Sequence, residues 1–116
     1  MRPDIKSIGS PDLEEPRLPE NPSNCQILIE AVIGTTDIDG GDLFSFLVIT
    51  PAALGDVGLP RWGRGLMIVD SFSWDAVRRL LDRLLDHSAA DDWHTIAMNL
   101  SKELDWEFEN YRPYSP

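Results

Sequence analysis

The sequence predicts an α+β fold, an antiparallel sheet of about four strands with two C-terminal helices packed on one of its faces. Segments with strand-like alternation come first, segments with a repeat near 3.6 come last, and no alternating βαβ order lies between them. The length of 116 residues suits one domain over 1–116 with a modest core, and 42% hydrophobic against 26% charged residues is ordinary globular composition.

Residues 2–8 read as a short edge strand with Ile5 and Ile8 as its apolar anchors. Residues 11–24 form a proline-rich surface loop, because Pro11, Pro16, Pro19 and Pro22 forbid both regular helix and a central strand. In 25–33, Ile27, Ile29, Ala31 and Ile33 share one side of an extended chain while Leu28, Glu30 and Val32 share the other, and Gly34 is expected to end the strand. Asp37, Ile38, Asp39, Gly40, Gly41 and Asp42 make a turn-rich connection, its glycines expected to supply the positive φ of a tight hairpin. Residues 43–50 return as a strand rich in aromatic and β-branched types.

Pro51 stops that strand, and Gly55, Gly58, Pro60 and Gly63 make 51–64 a long loop with room for one helical turn around 52–54. Residues 66–69 are a short buried strand. The first long helix begins at Ser73, an N-cap followed by Asp75 at the positive end of the dipole, with Phe72 placed to staple against Val77. Its stripe of Val77, Leu80, Leu81, Leu84 and Leu85 must face a core. Asp91 or Asp92 caps the second, with Trp93, Ile96, Ala97, Leu100 and Leu104 on its apolar side. Residues 104–109 alternate apolar and acidic, which fits either a short extra C-terminal strand or an irregular tail packing aromatics inward.

Twenty acidic against ten basic residues leave a formal charge of −10, which disfavours nucleic acid and anionic membranes as partners and favours a basic protein. The bland reading is that the charge serves solubility. Cys25 is the one cysteine, so an internal disulfide, a four-cysteine zinc site and a CxxC pair are excluded, and it reads as a small core residue at a strand start. Residues 1–10 hold no long apolar run, and no stretch approaches the roughly twenty apolar residues of a membrane span, so the cytoplasm is the default compartment.

No catalytic constellation and no cofactor motif stands out. His87 and His94, with Asp91 and Asp92, imitate a metal cluster but match no ligand spacing, and read better as exposed helix-end residues. Glu107 and Glu109 share the solvent face opposite Trp106 and Phe108, where burial cannot drive their pKa values apart. The serines lack a GxSxG context, and the glycines fit neither phosphate-binding fingerprint. Trp74, Trp93 and Trp106 read as core, whereas Trp62, in a Gly- and Pro-rich loop, is either a core plug or an interface anchor.

Three segments together resemble the immunity protein 8 family: residues 27–54, 63–77 (GRGLMIVDSFSWDAV) and 91–111 (DDWHTIAMNLSKELDWEFENY). The acidic cap Asp91, then Trp93, Leu100, the WEFE stretch from Trp106 to Glu109, and Tyr111 carry most of the likeness, and Ile5, Lys6 and Ser7 suit the family's start. Two departures stand out: Gly65 where a bulkier residue, often histidine, is expected, and His94 and Thr95 in place of an acidic pair. The resemblance implies a bacterial protein encoded beside a toxin, which it binds at the C-terminal domain to block it, without catalysis. Such toxins are often nucleases, and a basic cleft would complement a negative surface.

Loops on a rigid sheet commonly carry recognition, so Asp37, Asp39 and Asp42 of the hairpin connection, with Asp56 and Trp62 of the second loop, are the candidate partner-binding residues. The competing readings are an acidic structural subunit or secretion adaptor held by apolar surface, and a metal-binding enzyme using His87 and His94.

Overall fold

A computed structural model describes residues 1–109. It holds five strands and three helices: β1 (Pro3–Gly9), β2 (Gln26–Thr35), β3 (Asp42–Ile49), α1 (Pro51–Leu54), β4 (Leu66–Ile68), α2 (Trp74–His87), α3 (Trp93–Leu100) and β5 (Asp105–Trp106). The fold is α+β, with the two C-terminal helices on one face of the sheet.

The sheet runs β1-β2-β3-β4, and β5 also pairs with β3. Pairings are antiparallel except β3 with β4, which is parallel, since residues 50–65 form a crossover rather than a hairpin. β4 and β5 share one edge of β3. Trp106 and Asp105 lie against Phe44 and Ser45, and Leu66, Met67 and Ile68 against Leu47, Val48 and Ile49. Residues 104–109 thus contain a two-residue strand.

The alternation read in β2 is the alternation that folds, and β3 supplies a matching inward face. Ile27, Ile29, Ala31 and Ile33 of β2 and Phe44, Phe46 and Val48 of β3 are buried in one cluster with Val77, Leu81 and Leu85 of α2 and Ile96, Ala97 and Leu100 of α3. Ser73 caps α2 by accepting from the Ala76 amide, and Asp92 caps α3 by accepting from the Thr95 amide. Leu104 lies beyond the last turn of α3 yet is buried in the same cluster.

Several local expectations change. The short strand β4 is not buried, since Ile68 is exposed and Leu66 and Met67 only partly covered at the sheet edge, and Leu80 of the α2 stripe is exposed as well. Gly34 does not end β2: it pairs with Asp4, and Thr35 with Pro3, because β1 continues the ladder there. Gly40 and Gly41 do not adopt positive φ, which among the described residues belongs to Gly58 and Gly65. The connection is too long to need a two-residue primed turn, and glycine serves close approach instead. A Cβ on Gly41 would stand 2.3 Å from the Ile33 carbonyl oxygen, and one on Gly34 2.3 Å from that of Gly40.

The proline-rich segment straps the start of α2. The Trp74 indole donates to the Arg17 carbonyl at 2.7 Å, the Phe72 amide donates to the Pro22 carbonyl at 2.8 Å, and Arg78 meets both carboxylate oxygens of Glu15. At the other end of the helix, the Arg2 guanidinium donates to Asp82 and Asp86 and ties β1 to α2. Thr50, fully buried, is satisfied by Cys25: its Oγ1 accepts from the Cys25 amide at 3.0 Å and donates to the Cys25 carbonyl at 3.3 Å. Burial pushes the Cys25 thiol pKa up, so this cysteine stays an uncharged, half-buried residue rather than a reactive thiolate.

Candidate partner-binding surface

The hairpin connection between β2 and β3 places Asp37 and Asp39 on an exposed tip. The Thr35 side chain, then Asp37's own amide, then Lys6 hold the Asp37 carboxyl below the usual carboxylate range. It therefore holds its charge to lower pH than an ordinary carboxylate. Lys6 reaches the same tip, with Nζ donating to the Ile38 carbonyl at 2.8 Å.

Asp42 is positioned differently. One of its carboxylate oxygens accepts from the Trp93 indole at 3.0 Å and from the Trp106 indole, also at 3.0 Å. Phe44 lies beside this clamp, stacked on Trp106 and edge-on to Trp93. Asp42 is thereby half-buried and committed to holding the start of α3 and β5 against the hairpin.

The same contacts bring acids from three places in the chain to one end of the sheet. Trp93 carries its neighbours Asp91 and Asp92, both exposed, to the hairpin. The Ala90 amide donates to the Met1 carbonyl, and the nearby Pro3 pairs with Thr35, which fixes that corner. Glu107 arrives with β5, one carboxylate oxygen accepting from the Leu43 amide at 2.8 Å. Asp92 takes both the amide and the hydroxyl of Thr95, which lowers its pKa. Asp37, Asp39, Asp91, Asp92 and Glu107 form no ion pair among the described residues, whereas Arg2, Arg64, Arg78 and Arg79 are already matched with other acids.

Asp56 and Trp62 are not part of this end. Asp56 follows the far end of β3, and the eight residues of that strand put it roughly 25 Å from the hairpin tip. Trp62 is 91% exposed, which removes the core-plug alternative. Trp74 is buried and Trp93 and Trp106 pack against the core.

The sequence singled out the hairpin acids and missed Asp91, Asp92 and Glu107 as their neighbours. No local signal points to them, since Asp42 lies 51 and 64 residues from its two indole partners. Among the described residues no group of three potential ligands converges as a metal site would require. His94 packs edge-on against Trp106, and His87 closes α2. Nor is any helix of the described residues long and apolar enough to cross a membrane.

Comparison with known proteins adds one finding. The family model described as immunity protein 8 matches residues 4–111. Its closing aromatic, Tyr111 in the resemblance above, lies outside the described residues. No curated protein and no solved structure matches the chain.

Proposed function

The chain belongs to the immunity protein 8 family, and on that premise we propose that it neutralises a cognate toxin by binding the toxin's C-terminal domain through the acidic end of its sheet. The gathering of Asp37, Asp39, Asp91, Asp92 and Glu107 around the Asp42 clamp is the observation that carries this reading. Acids presented where rigid elements end and left without ion pairs keep most of their field for a partner. A basic target is steered toward them, and wrong partners are excluded by like charge.

A nuclease domain fits that description, because a cleft built for phosphate is cationic. Asp56 and Trp62 belong to a second patch along the β3 to β4 crossover, where an exposed tryptophan supplies an apolar anchor that charge alone does not. The protein works by occupancy, with no reaction of its own, in the cytoplasm of the cell that makes the toxin.

Co-expression with the toxin encoded beside it tests the proposal. Cells should survive with the parent chain and die with an Asp37→Lys, Asp39→Lys variant that folds normally. Equal killing with and without the parent chain would end the immunity reading.

A further inference from the structure

The edges of the sheet are not equally protected. β1, on one side, carries Pro3, Lys6 and a register shift between Ile5 and Ser7, all devices that discourage pairing with another chain. On the other side the two residues of β5 cover part of the hairpin half of β3, and the outer side of β4 forms the edge along the rest. Leu66, Met67 and Ile68 contain no proline, charge or bulge, so only their short length limits pairing.

The ladder fixes which backbone groups face outward. The Leu47 amide donates to the Gly65 carbonyl and the Val69 amide to the Ile49 carbonyl, so residues 65, 67 and 69 face β3 and residues 66 and 68 turn away from it. The Leu66 amide closes a turn on the Gly63 carbonyl. The Leu66 carbonyl and both backbone groups of Ile68 are then presented along the open edge.

Beside this edge runs a groove of about 350 Å³, lined by Phe46, Met67, Leu80, Leu84 and Leu104 with Glu103 as its charged wall. Ile68 is 55% and Leu80 37% exposed at its rim. Asp70, also exposed, follows the strand. A second copy of the chain would bring the same −10 charge and the same Glu103 to this place, which repels it. A cationic chain meets the opposite field.

We propose that the open edge of β4 receives an extended segment of the toxin as an added strand, with an apolar side chain in the groove and a Lys or Arg beside Glu103. Main-chain bonding to the edge supplies affinity, and the groove and Glu103 select the side chains. The inference rests on the toxin-binding reading above and gives it a second, apolar contact.

The test uses the full chain and the neighbouring toxin domain. Amide hydrogen exchange at Ile68 should slow by roughly tenfold or more on adding toxin, and Ile68→Lys, at an exposed position, should weaken binding by about tenfold. Glu103→Gln should flatten the salt dependence without removing binding. Toxin binding with Ile68 exchange unchanged and I68K at parental affinity would overturn the added strand and leave the immunity reading intact. Protection of Ile68 by self-association in the absence of toxin would overturn it in favour of a second copy. Absence of any toxin binding would remove both readings together.

Discussion

Asp42 holds two indole N–H groups on one carboxylate oxygen, 3.0 Å from each. Removing the acceptor leaves both donors inside a partly buried aromatic cluster without a partner. Asp42→Ala should therefore cost about 2 kcal/mol of stability, a hydrogen bond to a charged group being worth roughly 1.5 to 3. Asp42→Asn keeps an oxygen that accepts both indoles and should cost distinctly less. Urea unfolding followed by tryptophan fluorescence checks the order of the two. Trp62 gives the opposite profile, since it is almost wholly exposed. Trp62→Ala should leave the urea midpoint in place while weakening toxin binding by more than about 1 kcal/mol, read by titration calorimetry. Gly65 sits at φ +82°, so the bulkier residue of the family resemblance would be strained in this backbone.

The elements are held by their buried stripes and by contacts at their ends. Leu81 is fully buried in the middle of α2, and Leu81→Ala should destabilise by about 2 to 5 kcal/mol in the same urea experiment. Carboxylates at element ends make stability depend on pH. Arg78 hydrogen-bonds Glu15 and lowers its pKa, and the Thr95 amide and hydroxyl do the same to Asp92. A lowered folded-state pKa means that the unfolded chain takes up the proton first. Their contribution is complete above the ordinary carboxylate range near pH 4 and is lost as pH falls through it toward the lower folded values. The urea midpoint should fall below about pH 4.5, and a Glu15→Gln, Asp92→Asn variant should show a shallower fall.

Across the whole molecule, an excess of ten acidic charges acts at distances that individual contacts do not. If the acidic end steers a basic toxin domain, the association rate should drop steeply between low salt and physiological salt, where the screening length shortens to about 8 Å. Asp37→Asn with Asp39→Asn should lower the low-salt rate and flatten that dependence, while the dissociation rate changes little. Stopped-flow association at several salt concentrations measures this, and a rate indifferent to salt would assign the interface to apolar contact alone.

Local chemistry determined the class of fold, the position of each helix and the inward side of β2 and most of that of α2, because period, capping residues and proline act within a few neighbours. Ser73 and the stripe from Val77 to Leu85 sufficed to place α2, Leu80 excepted, and the order of long strands before long helices sufficed for the layering. Tertiary structure decided everything that depends on residues meeting across the chain. It set β4 parallel to β3, let β2 run on past Gly34, made a strand of residues 105–106 and left Trp62 outside the core. It also turned Asp42 inward and drew Asp91, Asp92 and Glu107 around the hairpin. Those outcomes are set by the geometry of a shared core, which joins residues from 19 positions apart, as in Leu47 with Leu66, to 64 apart, as in Asp42 with Trp106, and leaves no periodic trace in the sequence on either side.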